Sequence, residues 1–137
     1  MWQENKKGGY MKFLLALVII FSVSFISCDQ EPVTAVPDFT TPAAAFVELL
    51  VKGDYANAFA KFDVAMKDAM PVEQIEAAWQ SLLANVGGFE KIVAVRQAKE
   101  QGYDVVYVTC AFDKSQLNVK VVYNDKKEVS GLWFLPM

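Results

Sequence analysis

Histidine is missing from this sequence altogether. Its absence removes Ser–His and Cys–His nucleophilic pairs, the usual zinc sites and an imidazole base that titrates near neutrality. Cysteine is scarce, with only Cys28 and Cys110 present and no C-x-x-C pair. No G-x-S-x-G, S-x-x-K, Walker, G-x-G-x-x-G or calcium-loop pattern occurs either. Basic charge is also in short supply. Of 13 Lys and Arg and 16 Asp and Glu, three lysines and one glutamate precede Cys28, leaving 10 basic and 15 acidic side chains beyond it. An acidic chain with scattered cations lacks the counterion-release energy behind nucleic-acid binding and has no polybasic surface for anionic lipid. Neither nucleic acid, a metal nor a cofactor is expected as a partner.

What is abundant is apolar surface. The chain is 54% hydrophobic with ten Phe, three Trp and five Tyr, ample for one core in a domain of roughly 100 residues.

Lys6, Lys7 and Lys12 precede an uncharged run, Phe13 to Ser27, that stops at Cys28. A basic start, an apolar run and a small terminal residue follow the order of a secretory signal. As a helix the run rises about 22 Å against a hydrocarbon core of ~30 Å, so cleavage is expected rather than a permanent span. Starting at Met11 gives a more typical signal than starting at Met1. Phe25-Ile26-Ser27 ahead of Cys28 resembles the bacterial lipobox, with Phe in place of the usual Leu at the third position back. That resemblance implies a diacylglyceryl group on the Cys28 thiol and anchorage in the bacterial cell membrane or outer membrane. The stretch Asp29 to Thr41 has two prolines and no periodicity, the composition of a tether. The expected organisation is a signal peptide over 1–27, the lipidated cysteine and tether over 28–41, and one domain over 42–137.

In that domain Thr41-Pro42 provides an N-cap and a first-turn proline for a helix that runs to Lys52 and stops at Gly53. Asp54 caps a second helix carrying Tyr55, Ala58, Phe59 and Phe62 on one face, and Asp63 begins a further turn to Ala69. Val72, Ile75, Trp79, Leu82, Leu83 and Val86 form the stripe of the longest helix, Pro71 to Val86, which Gly87-Gly88 ends. Four strand patterns follow, Phe89–Lys99, Tyr103–Phe112, Leu117–Tyr123 and Glu128–Leu135, with connections short enough to demand antiparallel neighbours. The fold class is therefore α+β, N-terminal helices on a four-stranded antiparallel meander.

The stretches AAAFVELLVKGDYANAFAKFDVAMKDAMP, EAAWQSLLANVGGFEKI, GYDVVYVTCAF and VSGLWFLP resemble a family of unknown-function domains. That family occurs in bacterial lipoproteins and in front of alpha/beta-hydrolase domains. The resemblance runs from Pro42 to Pro136. It implies a cystatin-like or nuclear-transport-factor-2-like architecture in the order αααββββ, with helices in the concave side of a bent sheet, and no established activity.

Two sets of residues are candidates for binding. Phe46, Tyr55, Phe62, Trp79 and Tyr107 can line an apolar ligand pocket, or simply fill the core. Asn118, Lys120 and Val122 alternate with Leu117, Val119 and Val121, so one sheet face is polar, and one of the successive Trp133 and Phe134 joins that face as an aromatic anchor. Asp54, Asp63, Asp68, Glu73 and Glu76 read as caps and solvated charges, Asp104 and Asp113 as strand ends, and Cys110 as a core thiol. The expectation is a non-catalytic module binding a small apolar ligand, a partner protein or a second copy. A carboxylate-based hydrolase or isomerase, or a structural domain, is the rival.

Overall fold

The structure, a computed structural model, describes residues 37–137. The signal segment, the Met11 start and Cys28 lie outside the described residues. Residues 37–137 form a compact unit with a core of their own. Helices α1 (Thr40–Lys52), α2 (Tyr55–Ala60), α3 (Val64–Ala69) and α4 (Val72–Val86) come first. Strands β1 (Phe89–Glu100), β2 (Tyr103–Phe112), β3 (Gln116–Tyr123) and β4 (Val129–Pro136) then form one antiparallel sheet in the order β1-β2-β3-β4. This is the expected α+β arrangement, and the turn beginning at Asp63 proves to be a helix in its own right. No helix among the described residues is long and apolar enough to cross a membrane.

The start of α1 differs from expectation. Thr41 is inside the helix, and the Asp38 carboxylate accepts from both the Thr40 N–H, at 2.9 Å, and the Thr40 hydroxyl, at 2.6 Å. Those bonds hold the Asp38 carboxyl below its ordinary value. The segment read as the end of the tether is also part of the fold. Phe39 is buried and its ring stacks on Tyr123 at 4.8 Å. Gln97 of β1 fastens this entry with both ends of its amide: it accepts from the Phe39 N–H at 3.0 Å and donates to the Pro37 carbonyl at 2.9 Å. Further on, Gly53 adopts φ 75°, so α1 closes in the left-handed conformation that a Cβ disfavours. Asp54 and Asp63 cap α2 and α3 by accepting the N–H groups of Asn57 and Met66.

Helices cover one sheet face. Val106, Val108, Cys110 and Phe112 of β2 and Leu117, Val119, Val121 and Tyr123 of β3 point toward them and are buried. Trp79 of α4 fills the centre, with Phe112 at 6.1 Å and Phe134 at 6.0 Å between ring centroids. Phe46 and Phe62 meet at 5.9 Å. The interior is thus closed by interlocking aromatic rings.

The strand register is set by the turns. Gln101 and Gly102 both take positive φ, 51° and 85°, the backbone of a two-residue hairpin whose twist suits its strands. Glu100 therefore faces Tyr103 and Arg96 faces Tyr107. The next two hairpins place Tyr107 opposite Lys120 and Lys120 opposite Trp133.

Candidate functional site

On the sheet face turned away from the helices, that register aligns one residue from each strand: Arg96, Tyr107, Lys120 and Trp133. Cation and aromatic alternate across the row. The Arg96 guanidinium stands 4.5 Å from the Tyr107 ring centroid, and the Lys120 ammonium 5.6 Å from Tyr107 and 5.7 Å from Trp133. Each such contact is worth about 0.5–1 kcal/mol where solvent reaches it. Glu100, at the end of β1, ties the middle of the row together. One carboxylate oxygen accepts from the Tyr107 hydroxyl and the other from Lys120 Nζ at 2.8 Å. The Lys120 hydrogen bond first, and the Tyr107 hydroxyl second, hold the Glu100 carboxyl below its ordinary value; Glu100 in turn raises Lys120.

Beside the row lies an open cleft of about 520 Å³. Its floor includes Val105, 1% exposed although it faces away from the helices, and Val122. Tyr103 and Trp133 stand at its walls, 51% and 50% exposed, and Asp63, Asn124 and Ser130 add polar groups. Large aromatics left half in water around a small apolar floor, with charges fixed beside them, make up the anatomy of a contact surface.

The expected partner face is divided by the pleat. Asn118, Lys120, Val122 and Trp133 share the open face, where the Thr109 hydroxyl donates to Asn118 Oδ1 at 2.7 Å; Phe134 points the other way, onto Trp79. The expected ligand-pocket set does not come together around a cavity. Phe62 and Trp79 are interior packing, Phe46 is buried and borders a small hollow beside α1, and Tyr55 is buried with its hydroxyl accepting from Gln80 at 3.2 Å. Tyr107 lies on the opposite side of the sheet, in the row. Arg96, Glu100 and Tyr103 were missed. The Gln101-Gly102 turn held the signal for them, because counting outward from it pairs Glu100 with Tyr103 and Arg96 with Tyr107.

The other candidates have structural employment. Burial pushes the Cys110 thiol up to about 11, which keeps it protonated, and it sits in the core. Asp104 pairs with Lys99 at 3.2 Å, and Asp113 accepts from the Gly88 N–H at 2.7 Å. Asp68, Glu73 and Glu76 are exposed. Among the described residues no group of His, Cys, Asp and Glu is arranged to hold a metal.

A model of the family described as "Protein of unknown function (DUF3887)" matches residues 43–132, about two thirds of the chain. The chain is also similar to Esterase EstD of Thermotoga maritima, 24% identical over 96 residues. That match takes in 70% of this chain and 23% of the esterase, so the chain spans under a quarter of that relative's length. No solved structure matches.

Proposed function

The chain belongs to the family of proteins of unknown function DUF3887, and from that premise we propose that it is an envelope-tethered, non-catalytic module that holds a partner protein against the open face of its sheet. The observation that carries this reading is the Arg96–Tyr107–Lys120–Trp133 row beside a cleft walled by half-exposed Tyr103 and Trp133. Lys120 is neutralised by Glu100, whereas Arg96 is exposed and has no carboxylate partner among the described residues. The fitting partner brings a carboxylate to Arg96 and an apolar side chain into the cleft.

Support for a non-catalytic role comes from Glu100. A carboxylate enzyme needs a base raised by an apolar setting, and this carboxyl is lowered by its lysine, which makes it a poor base. The centre of the helix side, where the ligand cone of a cystatin-like or nuclear-transport-factor-2-like domain would open, is filled by Trp79, Phe112 and Phe134. The likeness to a stretch of a much longer esterase suits a module that works beside a larger protein. Envelope tethering rests on the basic start, the run Phe13 to Ser27 and Cys28.

A photoreactive residue at Asn118, used in cells, tests the reading. One discrete adduct is expected, lost with Arg96→Glu or Trp133→Ala while folding is retained. An adduct that survives both substitutions overturns the assignment of this face. Sedimentation of the wild type distinguishes a second copy from a different partner.

A further inference from the structure

A second site lies on the helix side of the molecule, away from the row just described. A pocket of about 190 Å³ opens between α1 and the ends of β3 and β4. Pro42, Ala45, Phe46 and Leu49 of α1 form one wall, and Tyr123 and Val129 the other. Two lysines complete the lining. Lys61 follows α2, and Lys127 belongs to the β3–β4 turn, where it takes φ 63°.

Three features distinguish this pocket from a packing defect. Its walls are apolar, yet both lysines are exposed and neither has a carboxylate within ion-pair distance among the described residues. Tyr123 is 3% exposed as a whole, and its hydroxyl makes no hydrogen bond among the described residues and is left to solvent at the pocket. Burial alone raises Tyr123 above its ordinary value, so the phenol stays a neutral donor. A neutral O–H and two ammonium groups around an apolar hollow can all donate, and no carboxylate or amide side chain is among the lining residues. They call for an anionic acceptor joined to a hydrocarbon body.

We propose that this pocket binds a small carboxylic acid, its apolar body between α1 and Val129 and its carboxylate held by Lys61, Lys127 and the Tyr123 hydroxyl. An apolar cavity of about 150 Å³ accommodates a benzene ring, so an aromatic acid or a short aliphatic acid fits the available volume. In a chain whose folded part is net acidic, local cations of this kind are what make an anion welcome. The site is independent of the partner face and stands whether or not that face is occupied.

Hexanoate and benzoate are the probes, titrated into isotope-labelled residues 37–137 and followed by amide chemical shifts, with 1-hexanol and hexylamine as matched controls. Saturable shifts are expected at Ala45, Leu49, Lys61 and Val129, with both controls binding at least about tenfold more weakly, the effect of losing one charge-assisted contact. Lys61→Gln combined with Lys127→Gln should bring the acids down to the level of the alcohol. Ala45→Leu, which fills the hollow from the exposed side, should abolish binding of acid and alcohol alike. Tyr123→Phe should weaken the acids alone. No saturable shift at millimolar acid, equal binding of hexanol and hexanoate, or acid affinity unchanged in the double lysine variant would each overturn the proposal.

Discussion

The indole of Trp133 lies over the backbone of Gly131, two residues back on the same strand. A Cβ at Gly131 would stand 2.3 Å from indole Cζ3 and 2.4 Å from Cη2. Gly131 is buried under this ring, and the ring is thereby laid along the sheet toward the cleft instead of standing off it. An aromatic side chain covering a strand glycine repairs the packing that the missing side chain leaves open.

Gly131→Ala is expected to swing the indole away at little cost to folding. The obstructing atoms are the far end of a side chain, and Val122 at 3.4 Å is in ordinary contact. A stability loss of about 1 kcal/mol or less should accompany a red-shifted tryptophan emission and weakened association at the open face. Denaturant titration and fluorescence measure the two effects separately; an unshifted emission would show that the ring does not depend on Gly131.

Two tryptophans of the described unit should behave in opposite ways. Trp79→Ala removes the ring between Phe112 and Phe134 and should cost about 3–5 kcal/mol, the range for truncating a buried aromatic. Trp133→Ala, half in water, should cost about 1 kcal/mol or less. Equal losses in denaturant unfolding would contradict the placement of Trp133.

Acid titration should report on Glu100. Its folded-state value lies below the ordinary 4.5, so its contribution is present above that value and disappears as pH falls through the lowered one. Glu100→Gln should therefore unfold at a lower temperature than wild type at neutral pH, with the gap closing in acid. Thermal melts across the acid range show this directly, and a gap independent of pH would assign the loss to packing.

Cys28→Ala should abolish incorporation of a fatty-acid analogue and leave an unprocessed or soluble form, because the thioether is the expected anchor. Label retained by the variant would remove the basis for the tethered reading.

The α+β order and every strand were legible because turns and apolar periodicity are local signals. The faces were harder to read. VVYVTCAF in β2 is nearly continuous in apolar character, so alternation alone leaves Tyr107 free to point either way; only its pairing with Lys120 puts it on the open face. Alternation in the third strand puts Lys120 on the polar face but names no neighbour for it. The register sets it between two rings and against a carboxylate that is 20 residues away in sequence. The start of α1 was misplaced because Thr41-Pro42 is a sound local signal that a better acceptor, the Asp38 carboxylate, outcompetes. Phe39 was overlooked because a lone aromatic between prolines and polar residues has no period to place it.

The amide of Gln97 gives the unit a mechanical character. Tension applied at Pro37 is not borne first by the N-terminal turn of α1, because the Pro37 carbonyl and the Phe39 N–H are both clasped by a side chain of β1 and the Phe39 ring is lodged on Tyr123 of β3. Load passes directly into two strands of the sheet, β1 and β3. The clasp and the stacked ring must both give way before the first helix can begin to unwind, so a pull from the N-terminal side meets the sheet before it meets any helix.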